Sequence, residues 1–209
     1  MVRRLGAPSA FPALTGGRQG MGADQQGGEE IIGGETIYAG KLLTLRRDRV
    51  RLENGREAVR EVVVHPGAVA IVPVLPDGRV VMVRQYRHAA GRALLEIPAG
   101  TLDQPGEAIE AAAVRELREE TGYSAAHLSL LVAFYTAPGF CTERITLFLA
   151  TGLTRGEQEP MDDEAITIEE IDIADIPVLI ASGEIADAKT LTGLLLAREH
   201  ATQVQGHTA

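Results

Sequence analysis

One cysteine, Cys141, stands alone in the 209-residue chain. It rules out an internal disulfide framework, and no Cys/His spacing resembles a zinc site. A reducing cytoplasm is the expected compartment. Basic side chains are in deficit as well: 20 Lys and Arg against 29 Asp and Glu leave a formal charge of −9. Such a surface repels DNA, RNA and anionic lipid, so nucleic acid and membrane are not expected partners. Continuous apolar runs are missing near the start. Leu5 to Gly28 is broken by Gly, Pro and Gln, so neither an export signal after Arg3 and Arg4 nor a membrane span is expected. No solenoid-type repeat is visible. What the chain does have is 45% hydrophobic residues, enough to bury a core for one domain with a small appendage.

Residues 1–34 pair glycines (Gly16-Gly17, Gly27-Gly28, Gly33-Gly34) with few apolar side chains. That composition does not offset its ordering entropy, and a flexible tail is expected. Within residues 35–64, the segments Thr36–Tyr38, Leu42–Leu45, Asp48–Leu52 and Val59–Val64 have strand character, with Glu53-Asn54-Gly55-Arg56 as a hairpin turn. They predict a small N-terminal antiparallel sheet. Ala68–Leu75 and Val80–Tyr86 flank the turn Pro76-Asp77-Gly78, Ala93–Ile97 is a further strand, and Pro98–Gly106 is loop. Glu107–Thr121 then reads as a helix stopped by Gly122, with Ile109, Ala113 and Leu117 along one apolar stripe flanked by Val114. Leu128–Tyr135, Ile145–Thr151 and Ile166–Ile171 are strand candidates, and Asp175–Ser182 and Ala188–His200 are helical. The expected fold class is α/β (α+β), a mixed sheet in residues 65–200 covered by helices on its faces, with residues 201–209 as a tail.

The most informative stretch runs Gly100-Thr101-Leu102-Asp103-Gln104-Pro105-Gly106-Glu107, seven residues, then Arg115-Glu116-Leu117-Arg118-Glu119-Glu120-Thr121-Gly122-Tyr123. Glu116 and Glu120 are four apart and Glu119 is three from Glu116, so one side of a helix carries all three carboxylates. Like charges gathered there repel, and cations remove that cost. A set of carboxylate oxygens is the environment hard Mg²⁺ prefers. The competing interpretation is a solvated face with an ordinary Arg115–Glu119 pair. The Gly/Pro loop just before the helix, which brings backbone carbonyls beside the carboxylates, favours the metal site.

This stretch resembles the Nudix hydrolase signature, with one extra residue between Gly100 and Glu107. The resemblance implies a Nudix fold that splits a nucleoside diphosphate derivative. It implies Glu116 and Glu120 as principal metal ligands, Glu119 as an additional or alternative one, and the carbonyl of Ala99 as a further ligand. Mg²⁺ is the implied cofactor, Mn²⁺ the alternative, on the order of two or three ions per site.

Likeness to the ADP-ribose pyrophosphatase branch extends from about Glu35 to Glu199, through Arg84-Gln85-Tyr86-Arg87, Glu96-Ile97-Pro98-Ala99-Gly100 and Thr136-Ala137-Pro138-Gly139-Phe140. Pro138, fifteen residues beyond Tyr123, is similar to the mark of ADP-ribose hydrolases; a plain turn at Pro138-Gly139 is the alternative. In a site full of carboxylates, a guanidinium from Arg84 or Arg87 would meet the diphosphate. Strand alternation turns the two toward opposite faces, and the resemblance favours Arg87. By the same likeness Glu96 hydrogen-bonds within the site or supports the metal loop. Arg60 and Glu61 contact the adenosine side, Ile37 and Tyr38 flank adenine, and Glu143 lies on the ribose or metal side. For Tyr38, a core or interface role competes.

Diphosphate hydrolysis also needs a base for the attacking water, and the signature glutamates are largely committed to metal. The acidic stretch Glu159-Pro160-Met161-Asp162-Asp163-Glu164 supplies another carboxylate source. By resemblance Glu164 is the preferred base, with Asp162 and Asp163 still open. The expected reaction converts ADP-ribose to AMP and ribose 5-phosphate. Alternatives are NADH, a GDP-sugar or a flavin dinucleotide as substrate, or a non-catalytic ADP-ribose sensor. The N-terminal sheet would have exposed edges in a monomer, and related enzymes exchange this region between subunits, so a homodimer is expected.

Overall fold

The computed structural model describes residues 28–158 and 166–206, with side chains as far as Glu199. Its N-terminal unit is an antiparallel sheet of β1 (Glu30–Ala39), β2 (Thr44–Arg51) and β3 (Glu57–Val64), in that order. Two expected strands, Leu42–Leu45 and Asp48–Leu52, are one. The charged residues between them do not break β2, because Arg46 forks onto Asp48 at 2.8 and 2.9 Å and Arg47 reaches Glu35 on the neighbouring strand. The first strand also starts earlier than Thr36. Its ladder runs back to Glu30, opposite Arg51, through the Gly33-Gly34 pair that read as tail. At Gly34 a Cβ would collide with the Asp48 carboxylate, so this glycine permits close strand approach.

The main body contains β4 (Ala68–Pro73), β5 (Arg79–Arg87), β6 (Arg92–Glu96), β7 (Ala99–Thr101), α1 (Ile109–Thr121), β8 (Tyr123–Tyr135), β9 (Arg144–Arg155), β10 (Ile166–Asp172), α2 (Ile176–Ser182) and α3 (Ala188–Gly206). The strands form two sheets, ordered β7-β4-β9-β8 and β10-β5-β6. The first is mixed, since β4 and β9 run parallel while β7 and β8 flank them antiparallel. Every residue of β4 is buried. Its alternate side chains divide between two cores: Ala70 and Val72 join Met82 and Leu147 against Ile176, Ile185 and Leu194 of the α2–α3 side. Val69 and Ile71 join Val81 and Phe148 against Ala112, Ala113 and Leu117 of α1. Each fully buried Leu or Ile contributes about 1.5–3 kcal/mol over exposure, so the helices are held to the strand layer by these two faces. This is the expected α/β arrangement, built from two sheets.

Several boundaries differ from expectation. The helix α1 starts at Ile109, because Ala108 is extended (φ −69°, ψ 144°), and Glu107, ahead of the helix, is bound through its carboxylate by Arg115 of α1. Val114 is 50% exposed, and Ala112 fills the buried position beside Ala113. Short β7 lies within the expected loop, β8 begins at Tyr123, and α3 continues to Gly206. Gly122 ends α1 in the left-handed region (φ 73°), its N–H bonded to the Arg118 carbonyl. No helix among the described residues is long and apolar enough to cross a membrane.

Candidate active site

The helix α1 carries the signature carboxylates on the side that meets the β6–β7 connection. Glu116 and Glu120 are buried, at 8% and 3% exposure, while Glu119 is half-buried. The N–H of Ala99 donates to Glu120 Oε2 at 3.0 Å, which fixes the Ala99 peptide beside that carboxylate. Gly100 is packed so closely that an added Cβ would overlap the Glu116 carboxyl carbon and both its oxygens. Glycine is therefore required by the carboxylate. Gly100→Ala is expected to push Glu116 aside and lower turnover by about 10²-fold, since an ångström of misplacement costs that much. Steady-state kinetics beside a circular-dichroism melt would check this; an alanine variant with wild-type turnover contradicts the packing argument.

Arg115 organises the remaining charge. Its guanidinium donates to Glu107 through two nitrogens at 3.0 Å each, to Glu116 at 2.6 Å and to Glu119 at 3.0 Å. The i,i+4 pair with Glu119 thus exists, as one arm of a larger clamp. The bond to Glu107, followed by the fields of the other carboxylates, holds Arg115 well above its ordinary value, and Arg115 in turn holds the Glu107 carboxyl low. One cation offsets three neighbouring anions.

These donors fit a hard divalent cation. Carboxylates and a peptide carbonyl are the oxygen ligands such ions take, and Mg²⁺ is usually bound through one or two carboxylates and substrate phosphates, not an all-protein cage. Among the described residues no three Asp, Glu, His or Cys side chains are gathered so as to hold a metal ion by themselves.

Arg84 and Arg87 separate. Arg84 pairs with Glu169 at 2.5 Å and with Glu184 at 3.0 Å. Arg87 lies 3.0 and 2.7 Å from the two oxygens of Glu96, within the electrostatic reach of Glu120. Glu96 is buried, at 1% exposure. Burial pushes its carboxyl up, but bonds from Arg87 and the charge of Lys189 outweigh that and hold it below the ordinary carboxylate value.

The other candidates lie elsewhere in the chain. Ile37 and Tyr38 are exposed on β1. Arg60 and Glu61 are on β3, where Arg60 pairs with Glu29, and Glu61 shares a groove with Gly34, Glu35, Arg47, Arg49 and Val59. The Pro138-Gly139 loop is tied to the end of β3: Val63 N–H donates to the Phe140 carbonyl at 2.7 Å, and Thr142 N–H to the Val63 carbonyl at 2.9 Å. Glu143, just beyond, accepts from Thr136 Oγ1 at 2.7 Å and lies 3.7 Å from His65. Asp162, Asp163 and Glu164 lie outside the described residues.

Two features went unread in the sequence. Lys189 reaches Glu96, and the signal for it was a lysine two residues after a helix-capping aspartate, Asp187, where a cation is out of place. Gln85 Oε1 is buried with no hydrogen-bond partner among the described residues, and Gln85 pairs with Ile166, the first residue described after the acidic stretch.

With this geometry in view, comparison with known proteins is decisive for the family. The NUDIX domain matches residues 64–194. The chain belongs to the Nudix family. Nudix hydrolases act on acid anhydrides and depend on divalent metal, in keeping with the carboxylate helix. The nucleoside diphosphate sugar hydrolase N-terminal domain matches residues 29–63 of this Nudix chain, the stretch that holds the three-stranded sheet. A Bacillus subtilis (strain 168) protein named ADP-ribose pyrophosphatase is 44% identical over 164 residues, covering 78% of this chain and 88% of its own. One of the same name from Mycobacterium tuberculosis is 45% identical over 168 residues, covering 79% and 81%. The crystal structure of an ADP compounds hydrolase superposes with a TM-score of 0.75 at 27% identity, covering 84% of this chain and 95% of that one.

Proposed function

We propose that this Nudix hydrolase splits the diphosphate of ADP-ribose with water, giving AMP and ribose 5-phosphate. The observation that carries the chemistry is the seating of Glu116 against Gly100 and of Glu120 against the Ala99 N–H, which aims buried carboxylates at one loop. The substrate rests on the relatives named ADP-ribose pyrophosphatase and on Pro138. In this reading Glu116, Glu119, Glu120 and the Ala99 carbonyl hold Mg²⁺, on the order of two or three ions, which when bound supplies charge compensation at phosphorus and makes water easier to deprotonate. Arg87 binds the diphosphate with the donors that Glu96 does not use. Glu164 takes the proton of the attacking water, with Asp162 and Asp163 as neighbours in the same acidic stretch.

The test is phosphate release after phosphatase coupling, with ADP-ribose, NADH, GDP-mannose and FAD offered in parallel, with and without Mg²⁺. ADP-ribose should have the highest kcat/KM, and chelation should abolish turnover. Faster hydrolysis of another member would reassign the substrate. Stoichiometric ADP-ribose binding without hydrolysis would make the protein a sensor.

The N-terminal sheet belongs to the same proposal. Ile31, Ile37, Tyr38, Leu42 and Val59 are 44%, 50%, 58%, 55% and 55% exposed, an apolar content unusual for a solvated sheet. A second copy of the chain covers this sheet by exchange of the 35–64 unit, so that Ile37, Tyr38, Arg60 and Glu61 serve the adenosine side of a site shared between protomers. Light scattering coupled to size exclusion should give a dimer mass, and a monomer at micromolar concentration overturns the idea. The single cysteine, Cys141, supports a reducing cytoplasm as the compartment of this reading.

A further inference from the structure

The start of α3 breaks a local rule. Asp187 caps the helix, accepting from the Thr190 N–H at 3.1 Å and from the Thr190 hydroxyl, which itself accepts from the Ile97 N–H at 3.0 Å. Directly inside that cap stands Lys189. A cation in the first turn opposes the helix dipole, and its side chain is only 11% exposed. Both placements cost stability, and sites where local preference is overridden are commonly functional.

The lysine turns back onto the site. Its Nζ donates to Glu96 Oε2, the same oxygen that accepts from Arg87 Nη2, and lies 3.0 Å from Asp187. Glu96 therefore holds two cations delivered by different elements, Arg87 from β5 and Lys189 from α3. Arg87 and Lys189 are matched in charge by Glu96 and Asp187, so the four groups form a neutral cluster whose effect on Arg87 is geometric. What the second cation adds is restraint: with Lys189 on Oε2 the Glu96 carboxylate is held from two sides, and its two-oxygen grip on Arg87 Nε and Nη2 fixes the guanidinium plane.

We propose that Lys189 is a positioning residue of the diphosphate site, sharing Glu96 with Arg87 so that the guanidinium keeps its orientation toward phosphate oxygens. The proposal rests on the diphosphate reading of the site given above. A purely structural strut between α3 and β6 would act on stability alone, whereas the positioning role moves KM.

The experiment compares Lys189→Met, Lys189→Arg and Leu194→Ala with wild type, by steady-state ADP-ribose hydrolysis in Mg²⁺ and by thermal melting. Leu194 is a fully buried α3 residue in the core beside α2, so its truncation loosens the helix without touching Glu96. Lys189→Met should raise KM about tenfold with kcat changed less than about threefold, and Lys189→Arg should restore KM. Leu194→Ala should lower the melting temperature and leave KM near wild type. A Lys189→Met enzyme with unchanged KM, or a KM rise that Leu194→Ala reproduces, overturns the proposal. Lys189→Gln takes the place of the Met variant should that one fail to fold. If wild type hydrolyses none of the four nucleotides, the functional reading falls instead. The Lys189 comparison is then made on ADP binding by calorimetry, with the same tenfold weakening expected and equal affinities counting against it.

Discussion

Glu120→Gln should lower kcat for ADP-ribose by about 10³-fold while the protein still folds. The amide keeps an oxygen for the Ala99 N–H, so the bond at 3.0 Å that seats the loop on α1 survives. What is lost is a full negative charge in a pocket where Glu120 is 3% exposed and water screens little. Metal-assisted charge compensation supplies several kcal/mol of transition-state stabilisation, and losing about 4 kcal/mol corresponds to roughly 10³ in rate. Excess Mg²⁺ should recover part of the activity, because weaker ligation is offset by mass action. Measured kcat at rising Mg²⁺, with a melt in parallel, decides the matter. Turnover within about tenfold of wild type would remove Glu120 from the ligand set.

That prediction was open to sequence reading because its geometry is local. Residues three and four apart on a helix share a face whatever surrounds it, so the grouping of Glu116, Glu119 and Glu120 follows from spacing alone. Alternation likewise separated Arg84 from Arg87, whose partners prove to be Glu169 and Glu184 for one and Glu96 for the other. The remainder depends on contacts between residues distant in the chain. Lys189 meets Glu96 across 93 positions, and no periodicity encodes that encounter. Gly33 and Gly34 misled for the opposite reason. Composition reads a glycine pair as slack chain, whereas at Gly34 the missing side chain makes room for Asp48 in a ladder whose register shifts between Ile31 and Gly33. The Arg46-Arg47 pair looked like a strand break only because its partners, Asp48 and Glu35, become visible once the register is set.

Glu164→Gln should reduce kcat by about 10²–10⁴-fold, the usual contribution of a general base, with KM moved little. The signature carboxylates are engaged: Glu107, Glu116 and Glu119 with Arg115, and Glu120 with Ala99. A base must therefore come from elsewhere, and both described ends of the acidic stretch are fastened beside the site. Before it, Gln158 Nε2 donates to the Glu120 carbonyl at 2.7 Å and Gly156 N–H to the Gly122 carbonyl at 2.7 Å. After it, Ile166 pairs with Gln85, two residues from Arg87 on the same strand. Gln158 and Ile166, on either side of the acidic stretch, thus lie at the end of the carboxylate helix and beside the strand that carries Arg87. If Glu164 alone is the base, Asp162→Asn and Asp163→Asn retain most of the turnover, and the acid limb of the kcat profile disappears only in Glu164→Gln. A Glu164→Gln enzyme with wild-type turnover passes the role to whichever aspartate variant loses that limb.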